Sequence, residues 1–266
     1  MTHDEYDALP GVRWSQLRRM ADSPAHYQAA LTRAWADTPA LALGRLTHTL
    51  TLQPELFDAE YAVWRGGRRA GKEYEAWEQA NAGKSHVREQ DLDAAQAIAT
   101  AVRSCPLVQP YLEGARYEVG TAWRDEPTGL VCRALLDWCP PGALLDLKTT
   151  RSTDPGAFAR SAAQYGYHGQ MAHYAEGYRA MTGAYPERVL LVAVESAPPY
   201  DVVVYDMAGS LEPGRTWRRT LLDRLADCIA SGQYPGRASE ILPLDLPAWA
   251  GGQDDYDHLD DDGEMP

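Results

Sequence analysis

The sequence predicts an α/β sandwich, a mixed central sheet flanked by helices, with further helices ahead of it. Three observations carry that prediction. Strand-like runs near 118–123, 131–137 and 144–148 follow one another with turn signals between them. Two helical patterns come next, near 155–164 and 169–182, then strand-like runs near 188–195 and 201–206 and a helix near 211–231. That α, βββ, α, β order places helices over a sheet that mixes hairpin and crossover connections.

Ahead of the sheet, Ser15 and the pair Ser23-Pro24 read as N-caps of two short helices. Thr38 as N-cap and Pro39 at the first helical position announce a third, whose Leu43, Leu46 and Leu50 form an apolar side with His48 near its border. Tyr61-Ala62-Val63-Trp64 reads as a short strand leading into a glycine-containing loop. Residues 72–82 and 89–104 read as helices, the second with Leu92, Ala95, Ile98 and Val102 at helical spacing. Pro140, Pro141 and Gly142 mark a turn, and the proline-rich stretches near 197–199 and 243–247 read as loops. With 266 residues and 45% hydrophobic content the chain can bury one sizeable core. We expect a single domain over 1–252, with a helical part over about 12–113 and a core over about 114–232. The stretch 253–266 is expected to be an acidic, disordered tail.

The chemistry concentrates in Leu144-Leu145-Asp146-Leu147-Lys148-Thr149-Thr150. Side chains alternate along a strand, so Asp146 and Lys148 project from one face. Lysine is scarce, only Lys72, Lys84 and Lys148 among 25 basic residues, yet one sits here beside a carboxylate. The pair reads either as a buried ion pair at a strand end or as part of a metal site. Upstream, Val131-Cys132-Arg133-Ala134-Leu135-Leu136-Asp137 is a second strand, and a hairpin at 140–142 brings Asp137 towards Asp146. Two close carboxylates repel unless a cation neutralises them, which favours the metal reading; hard Mg²⁺ prefers oxygen ligands. His48 reads as a core histidine or a ligand. Gln170 and Tyr174 stand one helical turn apart on the later helix.

Taken together, G-x3-H in Gly44-Arg45-Leu46-Thr47-His48, then Asp137, then Asp146-x-Lys148, then Gln170-x3-Tyr174 resembles the PD-(D/E)XK nuclease superfamily. Within it the chain resembles the RecE-type (exodeoxyribonuclease VIII-like), often phage-borne, exonucleases and the related RecB-type nuclease domains. Ser15-Gln16-Leu17 with Ser23-Pro24-Ala25-His26-Tyr27, Tyr165-Gly166-Tyr167-His168, and Val194-Glu195 with Pro199-Tyr200 extend the likeness over roughly 12–250. The resemblance implies a restriction-endonuclease-like core. It also implies His48, Asp137, Asp146 and the backbone carbonyl of Leu147 as ligands of one or two Mg²⁺ ions (Mn²⁺ substituting), with Lys148 as the catalytic lysine. Gln170 and Tyr174 would lie beside DNA. Trp138-Cys139 follows the first aspartate, which no proline precedes, a departure from the named pattern.

The implied activity is a metal-dependent 5′→3′ exonuclease on linear duplex DNA in recombination or repair. A single-strand annealing recombinase and a homo-oligomer are the implied partners. An endonuclease or structure-specific nuclease with the same site, or a non-catalytic DNA-binding module keeping the fold, are the alternatives. Glu118, opening the first core strand, reads as a further metal-binding carboxylate, as a carboxylate behind the ligands or, preferably, as a strand-edge acid; Glu195 reads likewise.

Net charge is −13 and the pI near 4.9, awkward for a duplex-binding chain. Residues 254–264 alone hold seven acids and no Lys or Arg, a solvated run or one that docks a basic partner or competes with DNA. Positive charge gathers in Arg65-Gly66-Gly67-Arg68-Arg69-Ala70-Gly71-Lys72, a loop suited to phosphate contact through Arg65, Arg68, Arg69 and Lys72, or else a solvated loop paired with acids. Arg215, Arg218 and Arg219 form a weaker second cluster. No run of about 18 apolar residues is present, the amino terminus lacks a signal-peptide order, and Cys105, Cys132, Cys139 and Cys228 show no zinc spacing. We expect free thiols, no membrane association and a cytoplasmic location.

Overall fold

The computed structural model describes residues 6, 8–32 and 38–247, so the expected acidic tail lies outside the described residues. The amino-terminal part opens with α1 (Trp14–Leu17) and α2 (Pro24–Thr32). Ser23 Oγ accepts the His26 amide at 3.3 Å and starts α2 as expected. Ser15, by contrast, lies inside α1, which Arg13 precedes without a side-chain cap. Helix α3 (Pro39–Leu52) begins where the sequence places it, with Thr38 Oγ1 accepting the Leu41 amide at 3.3 Å.

Next come a short α4 (Phe57–Glu60), strand β1 (Tyr61–Trp64), helix α5 (Lys72–Ala80), strand β2 (Ser85–Arg88) and helix α6 (Glu89–Ser104). Sequence reading missed α4 and β2, each four residues long and without enough length to show a period. Strands β1 and β2 pair in parallel, Tyr61↔Ser85 to Trp64↔Arg88. Leu46 of α3, Tyr61, Val87 and Ala95 share one small core, so this sheet rests on the helix that carries His48.

The central sheet has the order β3-β4-β5-β6-β7, with β3 (Arg116–Arg124), β4 (Val131–Cys139), β5 (Ala143–Thr150), β6 (Arg188–Glu195) and β7 (Val202–Asp206). Only β5 and β6 run parallel, joined by α7 (Pro155–Tyr165) and α8 (Tyr167–Thr182). The mixed α/β sandwich is therefore as expected. One face buries Ala134, Leu136, Leu144, Leu191 and Ala193 against Phe158, Met171 and Ala175 of α7 and α8. The other buries Leu145, Leu147, Leu190 and Val192 against Leu52 of α3 and Ile98 and Val102 of α6. Strict alternation along β5 thus puts Leu144, Asp146 and Lys148 towards α8.

Helix α9 (Ala208–Ser231) starts three residues earlier than expected, because Asp206 Oδ1 accepts the Ala208 amide at 2.8 Å. Pro213 is accommodated in its second turn. Arg218 and Arg219 on α9 both pair with Asp125, at 3.3 and 2.8 Å, and Arg218 is buried against His173. This corrects the reading of them as a second basic footprint: they are spent inside the fold. Among the described residues no helix is long and apolar enough to cross a membrane, and all four cysteines are free thiols.

Helix α8 is seated by glycines. Gly166, at φ 73°, ends α7 and turns directly into α8. A Cβ on Gly169 would lie 2.1 Å from the Trp14 ring and 2.8 Å from Trp217, so α8 reaches its depth only because that side is bare. Gly169→Ala is accordingly expected to destabilise the fold by roughly 1–3 kcal/mol through overpacking. Gly209→Ala, at a helical position with open space, should be neutral or slightly stabilising. Urea denaturation of the two variants checks the contrast.

Candidate metal centre

The site forms where three neighbouring strands and α3 meet. The register Tyr117↔Trp138 and Val119↔Leu136 sets Glu118 opposite Asp137, and Trp138↔Leu145 sets Asp137 opposite Asp146. Alternation breaks here: Leu136 and Cys139, three apart, both pack on the α7–α8 face, so β4 changes parity beside Asp137. Across from it Glu118 has φ 48°, a left-handed conformation that costs a non-glycine residue about 1–3 kcal/mol and that tertiary packing must sustain.

The ligand atoms of His48, Glu118 and Asp137 all lie within 4.8 Å of one another. His48 Nδ1 is 3.5 Å from Asp137 Oδ2 and 3.9 Å from Glu118 Oε1. Its Nε2 is 2.8 Å from the Leu147 carbonyl. The acceptor is a carbonyl, so Nε2 carries a proton and Nδ1 is the nitrogen that faces the carboxylates. The Leu147 carbonyl, expected on resemblance to bind an ion, is engaged by this histidine.

Asp146 is fully buried beside the triad. Lys148 Nζ stands 2.5 Å from its Oδ2, yet that oxygen accepts no hydrogen bond of normal geometry. Gln170 Nε2 donates to Asp146 Oδ1 at 3.2 Å and to the Tyr174 hydroxyl at 3.0 Å. Gln170 and Tyr174 therefore face inward, onto the carboxylate, from α8. The Lys148 ammonium also lies 4.8 Å from the centre of the Tyr167 ring.

Electrostatics follow from that crowding. Burial, then the neighbouring Asp146, raises the Asp137 pKa well above the carboxylate range. Burial works against the charged form of Lys148, but Asp146 and Asp137 outweigh it and raise its pKa, so the ammonium stays protonated. Burial likewise opposes the His48 imidazolium, and Asp137, Glu118 and Asp146 overcome it to raise its pKa to about 9. Three carboxyl groups thus gather around one lysine and one imidazole. Oxygen-rich donors and one imidazole nitrogen fit a hard or borderline divalent cation.

Sequence reasoning undervalued Glu118. A carboxylate two strands away from the Asp-x-Lys segment gives no local signal; only the register places it opposite Asp137. Glu195 holds a loop instead, its Oε1 accepting the Thr153 amide at 3.3 Å, as the strand-edge reading expected. In the basic loop, Arg65 pairs with Glu89 at 3.4 Å and Arg69 donates to the His86 carbonyl at 2.9 Å, while Arg68 and Lys72 are exposed.

This fold and carboxylate-lysine strand define a PD-(D/E)XK-type domain. The chain belongs to the family described as "PDDEXK-like domain of unknown function (DUF3799)", whose model matches residues 14–244. Among solved structures it is similar to a protein named "Putative exonuclease" from Eubacterium rectale, at TM-score 0.62 and 15% identity over 93% of this chain and 96% of that one. Similarity to SSO0001 is weaker, at TM-score 0.33 and 14% identity over 82% and 84%. No curated protein matches the sequence.

The raised His48 pKa has a stability consequence. Its folded value of about 9 exceeds the ordinary 6.5. The contribution of this group is therefore complete below pH 6.5 and lost as pH rises through 9. A cation needs the neutral ring, so binding strengthens over the same interval. In chelator, the melting temperature should fall between pH 6.5 and 9, and the gain on adding Mn²⁺ should grow. His48→Gln should flatten both trends, as thermal melts across that interval will show.

Proposed function

We propose that this domain is a Mg²⁺-dependent deoxyribonuclease of the RecE type, acting 5′→3′ on the ends of linear duplex DNA. The observation that carries the reading is the convergence of His48, Glu118 and Asp137 next to a buried Asp146–Lys148 pair. A site assembled only for stability would hardly gather three carboxylates where each raises the cost of the others. The name of the Eubacterium rectale protein supports the exonuclease part of the reading, as does the order of motifs in the sequence.

Asp137, Asp146 and Glu118, with His48 through Nδ1, would hold one or two ions. A bound divalent cation would polarise the scissile phosphate and lower the pKa of a coordinated water. Lys148, protonated and fixed by Asp146 and the Tyr167 ring, is suited to neutralise charge developing on phosphate oxygens rather than to remove a proton. Gln170 keeps Asp146 in one rotamer, and Tyr174 orients Gln170 in turn. Arg68, exposed on the loop after β1, and Lys72, exposed at the start of α5, would contact phosphates at a distance from the chemistry.

Incubation of 5′- and 3′-labelled linear duplex with Mg²⁺, alongside closed circular DNA, tests the function. Release of 5′-terminal nucleotides from linear duplex with the circle intact is expected; cleavage of the circle would make the enzyme an endonuclease. Lys148→Ala and Asp146→Asn should each lower the rate by about a hundred- to a thousandfold, with the circular dichroism spectrum unchanged. Activity near wild type in either folded variant would remove these residues from the chemistry.

A further inference from the structure

We infer that Tyr167, Tyr165 and Arg18 form a track for an unpaired DNA strand leading away from the carboxylate site; this rests on the nuclease reading and adds a substrate subsite to it. Four groups line up by direct contact. Lys148 stands over the Tyr167 ring at 4.8 Å. Tyr167 stacks on Tyr165, with centroids 5.8 Å apart and planes 26° from parallel. Arg18 Nη1 donates to the Tyr165 carbonyl at 2.8 Å. The result is a strip of cation, aromatic, aromatic, cation that begins at the proposed catalytic lysine.

The two tyrosines are not needed by the core in the same way. Tyr167 is half-buried and packs near Phe158, whereas Tyr165 is 50% exposed at the end of α7. Gly166 between them, at φ 73°, makes the sharp turn into α8 that lets residues two apart present stacked rings. Arg18 uses one guanidinium arm on the carbonyl, leaving other donors for a phosphate. Single-strand binders combine such a charged path with ring faces on which bases stack. A duplex has its bases already stacked, so the strip fits a strand end that has been unpaired. Phosphate charge is matched at the outer end by Arg18, while Lys148 at the inner end shares its charge with Asp146, in a chain of net charge −13.

The test separates base stacking from phosphate attraction and from catalysis. Fluorescence anisotropy with Ca²⁺ would compare a labelled thymidine 12-mer with a 12-mer of the same length carrying abasic sites throughout. The wild-type chain should prefer the thymidine strand by about tenfold. Tyr165→Ala should remove most of that preference, Tyr165→Phe should keep it, and Arg18→Gln should weaken both strands alike. No preference in the wild type, or its persistence in Tyr165→Ala, would overturn the track. Tyr165-dependent binding without hydrolysis of any DNA would leave the track standing and refute the nuclease reading. Hydrolysis with Tyr165-independent binding would do the reverse.

Discussion

Mutual repulsion among Glu118, Asp137 and Asp146 is the constraint around which the rest of the molecule is arranged. Asp137 lies between the other two, opposite Glu118 on one side and Asp146 on the other, and each neighbour disfavours its charged form. The fold carries that cost with two devices. Lys148 is set 2.5 Å from Asp146 on the same strand face, and His48 is delivered by α3 between Glu118 and Asp137. Burial, and then the neighbouring Asp146, still raise the Asp137 pKa despite these two devices. A divalent cation bound there, as proposed above, would relieve this crowding.

Each layer of the sandwich holds one side of this arrangement. The α3–α6 layer packs on Leu145 and Leu147, which fixes β5 and aims the Leu147 carbonyl at His48. The α7–α8 layer packs on Leu144 and, with Gln170 directly following the bare Gly169, places that glutamine on Asp146. Loss of alternation in β4 and the left-handed Glu118 are local concessions. They bring side chains that regular pleating would send apart into one cluster, and packing on both faces sustains them.

Much of this was legible in the sequence because the signals were local. Thr38-Pro39 announced α3, the Pro140–Gly142 turn announced the β4–β5 hairpin, and the spacing of Asp146 and Lys148 required only strand alternation. Glu118 and the track of Tyr165 and Arg18 were not legible, since they depend on strand register and on contacts spanning up to 147 residues. Arg218 and Arg219 misled for the complementary reason. A basic cluster in sequence carries no mark of Asp125, 93 and 94 residues earlier, which absorbs both charges.

That absorption bears on how so acidic a chain could engage a polyanion. Arginines on α9 and part of the β1 loop are already paired with protein carboxylates or carbonyls, so total basic content overstates what a phosphate would meet. Near the site, Lys148 holds its charge in an ion pair with Asp146, and Arg18 donates to the Tyr165 carbonyl on the far side of the two tyrosine rings. Attraction between exposed charges is in any case short-ranged, screened beyond about 10 Å at ordinary salt. A broad basic face would hold duplex anywhere along its length. A narrow strip of two tyrosines and Arg18 beside the carboxylate cluster would instead suit, as proposed above, a strand whose end has entered the site.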